Sequence, residues 1–199
     1  MEKNKEDVMR DFILDRSESL FTRYGYKNTS VDKIAEHCQI SKPTLYNYFK
    51  SKNSLFLALF SRFQDGLAAK ARELMGQDKD KYQIIEEIID LSLQVIQEKR
   101  NFLRMLIMEH HMVVHECDDF EEHMNLGLRR REEVSRSLGE FMKDIARPEV
   151  IEEFGIVMVG TSLSNLLEGA FWDSIKGISP SHEKQKKLIM VFLRNGILA

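Results

Sequence analysis

The side chains best suited to chemistry lie between Ser30 and Phe49, and they donate hydrogen bonds rather than attack bonds. Lysine donates to guanine O6 and N7 or to a phosphate, asparagine pairs with adenine, and a threonine methyl meets the thymine methyl. Lys42, Thr44 and Asn47 supply that set on one exposed side of a short helix. Tyr46 and Tyr48 carry hydroxyls suited to phosphate oxygens. Lys50 and Lys52, just past this helix, are placed to anchor a phosphate backbone. The helix N-terminus adds unpaired N–H groups and a positive dipole end for an anion.

Positioning these groups takes two short helices and a tight turn. The first, marked by Val31, Ile34 and Ala35, has Ser30 as its N-cap and Asp32 in its first turn, where an acid favours the dipole. It breaks at Cys38-Gln39-Ile40. The second is capped by Ser41 and opens on Lys42-Pro43, proline being tolerated where its missing N–H would have had no partner. Ile34, Ile40, Leu45 and Phe49 are spaced to form the small core between them. This is the pattern of a helix-turn-helix, whose second helix enters the major groove.

Charge supports the same reading. The net charge is −3, but Leu20 to Arg62 holds seven cations against Asp32 and Glu36, leaving the remainder at −8. A basic stretch on an acidic body is the footprint of a nucleic-acid-binding head, although a solvated charge run has the same count.

The rest of the chain is helical by its apolar spacing of three and four. Phe12, Ile13, Leu20, Phe21 and Tyr24 mark a first helix, with Gly25 as its left-handed cap. Further helices are expected over 55–75, 82–99 (Ile84, Ile88, Leu91 and Val95 down one face), 101–115, 120–145, 148–174 and 181–198. Pro43, Pro148 and Pro180 all sit at helix starts. No stretch alternates with period two, so the expected fold is all-α with about nine helices. Residues 1–52 are expected to form the DNA-binding domain and 53–199 a second helical domain.

Other constellations are thinner. His111 and His115 share a helical face and suit a metal, with Cys117, Asp119 or His123 to complete the site. The plainer reading is a polar helix end, so no metal cofactor is expected and a metal-responsive regulator is the alternative. Arg129-Arg130-Arg131 spreads around most of a helix, leaving one arginine at most for an anionic effector. GxGxxG, P-loop, GxSxG and HExxH patterns are all missing, and Glu152 and Glu153 point about 100° apart on a helix. No enzyme and no cofactor are expected. Cys38 and Cys117 are too isolated for a disulfide framework. Apolar runs such as Ile156 to Val159 and Met190 to Leu193 fall far short of a membrane span, and no signal-like segment opens the chain. A soluble cytoplasmic protein is expected.

The run from Phe21 to Phe60, with Phe-x2-Tyr-Gly-Tyr-x2-Thr-Ser-Val-x-Lys-Ile-Ala and then Ile-Ser-Lys-Pro-Thr-Leu-Tyr-x-Tyr-Phe-x-Ser-Lys-x-x-Leu, resembles the DNA-binding domain of the tetracycline-repressor (TetR) family. The resemblance implies a three-helix DNA-binding domain and a helical C-terminal domain that dimerises and binds a small effector. It places Ser41, Lys42, Thr44, Tyr46, Asn47, Tyr48 and Lys52 toward double-stranded operator DNA, with Ser30 capping a helix near a phosphate. Gln39 departs from the pattern, standing where the family usually has glycine.

The resemblance further implies that the last two helices pair across a two-fold axis. Phe154, Val157, Leu163, Leu167, Phe171, Leu188, Val191 and Phe192 are the residues expected at that homodimer interface, with Gly160, Ser164 and Gly169 permitting close approach. Phe102, Met105, Met108 and Met112 form a polarizable stripe suited to an irregular apolar ligand, with Phe63, Leu67 and Leu91 as an opposite wall. The function implied is a repressor released from a palindromic operator by a small, mainly apolar effector. A nonspecific architectural DNA-binding protein is the weaker competitor.

Overall fold

The computed structural model describes residues 4–115, 120–177 and 181–199, and of residues 111, 112, 114, 115, 120, 122–124 and 175 it describes only the backbone. Nine α-helices run through the described residues: α1 (Lys5–Tyr24), α2 (Val31–His37), α3 (Lys42–Tyr48), α4 (Lys52–Met75), α5 (Lys81–Glu98), α6 (Arg100–His115), α7 (Phe120–Met142), α8 (Pro148–Lys176) and α9 (His182–Gly196). No strand occurs among these residues, and the single β-bridge joins Ala146 to Leu198. The fold is all-α.

The chain divides into two compact units, Met1–Asp65 with Asn101–Glu121, and Gly66–Arg100 with Glu122–Ala199. In the first, α1 begins at Asn4, whose side chain accepts from the Asp7 N–H at 2.8 Å. Its buried stripe is Ile13, Leu14, Ser17, Leu20 and Phe21, whereas Phe12 and Tyr24 are exposed. Ser17 belongs in that stripe because its hydroxyl donates to the Ile13 carbonyl at 2.7 Å, so no polar group is left unpaired. Gly25 ends the helix with φ 79° and ψ 162°, an extended positive-φ conformation rather than the left-handed helical one expected from its position.

Three rings close the centre of this unit. Phe21, Tyr26 and Phe56 have centroids 5.0–5.8 Å apart, mostly edge to face. Arg62 of α4 then clamps α1, donating to Asp15 at 2.7 Å and Glu18 at 3.2 Å.

In the second unit α5 packs against α8 and α9 through Ile84, Ile85, Ile88, Ile89, Leu93 and Ile96. Leu91 and Val95 stand at the margin of that stripe, half-buried. Along its edge Asp90 takes hydrogen bonds from Lys186 at 2.5 Å and His182 at 2.9 Å, and Glu86 pairs with Arg194 at 3.0 Å. Burial pushes the Asp90 carboxyl up, but the Lys186 and His182 contacts prevail and hold it below the usual carboxylate range. The last residues are tied down by Arg147, whose backbone N–H donates to Ile197 at 2.8 Å and whose Nε donates to the Leu198 carbonyl at 3.0 Å.

Two features of α8 differ from the sequence reading. Gly155 adopts φ 74° and ψ 162° and kinks the helix within its first third. The stretch 148–174 is also long and apolar enough to cross a membrane by length and composition. Counting consecutive apolar residues misses this because glycine, serine and threonine interrupt the runs without adding charge.

Gly160 does permit close approach, but to α7 of the same unit. A Cβ there would lie 1.8 Å from the Ser135 carbonyl oxygen, and one on Gly139 would lie 1.9 Å from the Ile156 carbonyl oxygen. At Gly169, by contrast, a Cβ would meet nothing within 4 Å. Gly160→Ala therefore forces two helix backbones apart and is expected to destabilise the protein by about 3 kcal/mol or more. Gly169→Ala should be neutral or stabilising by about 0.5–1 kcal/mol through helix propensity. Urea denaturation of both variants checks the pair, and equal stabilities would contradict the α7–α8 crossing.

Candidate nucleic-acid interface

The α2–turn–α3 segment is built from local hydrogen bonds. The Ser30 hydroxyl accepts from the Lys33 N–H at 3.2 Å and starts α2. The Ser41 hydroxyl accepts from the Thr44 N–H at 3.1 Å and starts α3, with Pro43 in the first turn. Between them the Ile40 N–H reaches back to the Ala35 carbonyl, and the Gln39 N–H to the Glu36 carbonyl, both at 3.0 Å. That pair of bonds is the Schellman closure of a helix, and it requires a left-handed residue in between. Gln39 supplies it with φ 56°, the one positive φ at a non-glycine among the described residues. The absence of glycine at the turn thus changes its strain and not its geometry.

Beneath the turn, Ile34, Leu45 and Phe49 are buried, together with Ala35 and Cys38, while Ile40 is half-buried. Burial pushes the Cys38 thiol above its ordinary pKa, as expected of a small apolar filler. Arg10 of α1 reaches over this core, its guanidinium 4.4 Å from the Phe49 ring centroid and its Nη1 donating to the Tyr48 carbonyl at 3.0 Å. No local spacing signals Arg10, which lies 38 residues away from Tyr48.

The opposite face of α3 is open. Ser41, Lys42, Tyr46 and Asn47 are exposed, with Ser30 exposed at the start of α2, and Thr44 and Tyr48 are half-buried. Ser41 and Thr44 hydroxyls sit 2.7 Å apart. Lys42 is held by Asp32, with Nζ 2.9 Å and 3.1 Å from the two carboxylate oxygens. That contact raises the Lys42 pKa, first through the hydrogen bond and then through the charge of Asp32.

Lys52 has a different environment from the one its position suggests. Its ammonium donates to the Tyr26 carbonyl at 3.1 Å and lies 3.9 Å from the Tyr26 ring centroid, while the Tyr26 hydroxyl donates to Asn53. Lys33 is turned back likewise, onto the Asn28 carbonyl at 3.1 Å. Lys27 and Lys50 stand exposed at the ends of the motif.

The residues singled out for an effector do not gather in one unit. Phe63 and Phe102 meet edge to face at 6.2 Å within the first unit, where Met105 is half-buried and Met108 exposed. Leu67 and Leu91 belong to the second unit, and the Met112 side chain lies outside the described residues. A groove of about 320 Å³ in the second unit is lined instead by Glu86, Glu183, Lys186, Lys187, Met190, Val191 and Arg194. His111, His115 and His123 also fall outside the described side chains, as do Cys117 and Asp119; among the described residues no group of three metal-ligating side chains occurs.

Of the residues proposed for a dimer face, Phe154, Leu188, Val191 and Phe192 are exposed, 45–58% each, and Met158 and Trp172 join them. Leu163 and Phe171 are buried within their own unit, and Val157 and Leu167 are half-buried.

Comparison with known proteins agrees with this geometry. The family model described as bacterial regulatory proteins, tetR family, matches residues 13–59. The HTH-type transcriptional activator FasR of Mycolicibacterium smegmatis is 28% identical over 100 residues, which cover 50% of this chain and 46% of that protein. The HTH-type transcriptional repressor ComR of Escherichia coli is 41% identical over 61 residues, 31% of this chain and 29% of ComR. The matched stretches span less than half the length of either relative. Among solved structures, a TetR transcription regulator from Haloarcula marismortui superposes with a TM-score of 0.74 at 15% identity, covering 96% of this chain and 99% of the other. A Saccharomonospora viridis protein solved in complex with choline gives a TM-score of 0.72 at 17% identity, covering 97% and 99%. At such identities the likeness is one of fold.

The strain at Gln39 has a direct test. A left-handed backbone costs a side-chain-bearing residue about 1–2 kcal/mol, and glycine gives back part of that in unfolded-state entropy. Gln39→Gly is therefore expected to stabilise the protein by about 0.5–1 kcal/mol, read as a higher urea midpoint at unchanged slope. A lower midpoint would mean that residue 39 does not adopt this turn in solution.

Proposed function

We propose, from the match of residues 13–59 to the tetR family, that this chain is a site-specific DNA-binding transcriptional regulator, a repressor released from a palindromic operator by a small, mainly apolar effector. The observation that carries the reading is the open face of α3, where Ser41, Lys42, Tyr46 and Asn47 stand exposed above a helix locked from behind by Leu45 and Phe49. Rigid backing matters because base readout depends on donors held at fixed positions against the groove. In this reading Lys42 and Asn47 address bases and the Thr44 methyl meets a thymine. Tyr46, Tyr48 and Ser30 contact phosphates, and Lys50 and Lys27 flank them. Lys52 contributes by holding the Tyr26 turn against the start of α4.

A recognition helix of seven residues reads few base pairs, so selectivity calls for two copies on half-sites about one turn of DNA apart. The exposed apolar set Phe154, Met158, Leu188, Val191 and Phe192 supports a homodimer through α8 and α9. A helix apolar on more than one side has a second surface to cover, and a second copy does that for α8 without a membrane. This favours a cytoplasmic protein.

The effector half of the reading rests on architecture. Choline bound to the Saccharomonospora protein supports a small-molecule ligand in a chain of this fold. Binding would act by population shift, lowering operator affinity by the effector's differential affinity for the two states. The name of ComR supports repression. No observation favours the metal-responsive or architectural alternatives.

The test starts with selection of duplexes from a random pool by the full-length protein, which should yield a palindrome. Lys42→Ala is expected to cost about 1–3 kcal/mol on that duplex and to relax selectivity. Tyr46→Phe should weaken selected and scrambled duplexes alike by about 0.5–1.5 kcal/mol, the worth of one hydrogen bond. Unchanged binding in both variants would remove α3 from the interface. Replacing Phe154 and Phe192 together by glutamate should yield a monomer in sedimentation with much weaker operator binding; a persisting dimer would move the interface elsewhere.

A further inference from the structure

The basic segment from Leu20 to Arg62 contains only two acids, and one of them, Asp32, is exposed and pairs with Lys42, a side chain proposed above to address bases. It is the second residue of α2, after the Ser30 cap, and it points across the motif at the first residue of α3. Both of its oxygens hold the Lys42 ammonium, at 2.9 Å and 3.1 Å. Neither partner is buried: the Lys42 and Asp32 side chains are 45% and 72% exposed. The pair therefore adds little to stability, since exposed pairs are typically worth less than about 1 kcal/mol. A carboxylate beside a phosphate backbone also opposes binding. Its placement needs a consequence other than folding.

We infer that Asp32 is a selectivity-determining residue for DNA binding that acts through Lys42. The inference rests on the DNA-binding role of α3 proposed above. For the lysine, a phosphate offers what Asp32 already provides, a negatively charged oxygen at hydrogen-bonding distance. On an arbitrary duplex Lys42 trades one anion for another and gains little, and Asp32 is left facing phosphate. The exchange becomes favourable where the docked helix presents a paired base acceptor such as guanine O6 and N7. Asp32 thus removes one cation from sequence-independent attraction, which supplies most nonspecific affinity, and leaves it available for readout.

The experiment measures anisotropy of two labelled duplexes, one selected by the wild-type chain from a random pool and one scrambled, over a series of salt concentrations. Wild type, Asp32→Asn, Lys42→Ala and the double variant are compared as full-length proteins, with thermal melts to confirm folding. Asp32→Asn is expected to tighten the scrambled duplex about three- to fivefold and the selected one less than about twofold, so selectivity falls. The log–log salt slope on the scrambled duplex should steepen by about one, the signature of one more phosphate contact. In the Lys42→Ala background the same change should only relieve the repulsion of the carboxylate, tightening both duplexes alike by less than about twofold and leaving selectivity unchanged.

Equal tightening of both duplexes by Asp32→Asn alone, or a preference for the scrambled duplex that persists without Lys42, would reduce Asp32 to simple repulsion and overturn the inference. No change in either affinity would overturn it as well. A wild-type protein that does not distinguish the two duplexes would overturn the regulator reading itself, and this one with it.

Discussion

The interface depends on one left-handed residue. With Gln39 at φ 56°, the Ala35 and Glu36 carbonyls are both satisfied, α2 stops, and the chain reverses within three residues. Ile34, Leu45 and Phe49 can then share one small core, and it is their burial that turns Lys42, Tyr46 and Asn47 outward. Were α2 to continue past Cys38, the apolar face of α3 would have no partner. The local strain and the burial are two sides of one constraint, the second offsetting the first.

Around this core the cations are less available than their number suggests. Arg62 is committed to Asp15 and Glu18, Lys52 to Tyr26, Lys33 to Asn28 and Lys42 to Asp32. Arg10, outside the basic segment, is spent on the back of Phe49. Much of the positive charge of Leu20 to Arg62 therefore builds the head rather than coating it. What remains toward solvent is a sparse set of donors, which supports the proposed reading of a sequence-selective binder over one that clings to any duplex.

The second unit solves a different problem. Its helices approach closely where Gly139 and Gly160 let α7 and α8 touch backbone to backbone, and α5 fills the space against α8 and α9 with isoleucines. Ion pairs along α5 and α9 close the edge without bearing much energy at their exposure. The outer surface of α8 and α9 keeps several large apolar side chains uncovered.

The helices, the serine caps of α2 and α3 and the motif follow from the order of residues alone. Ser30 and Ser41 declare helix starts through short-range hydrogen bonds, and the spacing of Ile34, Ile40, Leu45 and Phe49 declares a common core; both signals are local and survive in one dimension. Which partner each charge takes is a different matter, because Arg10 meets Tyr48, Lys42 meets Asp32 and Lys52 meets Tyr26 only after the helices pack. Nor does residue order separate Leu163 and Phe171, buried in their own unit, from Phe154, Leu188 and Phe192, left exposed. On a helix apolar nearly all round, periodicity has no polar side to measure from, so only the packing of α8 against its neighbours decides which face is core. The same holds for Gly160, whose close approach was legible as smallness, while the helix it approaches was a matter of tertiary structure.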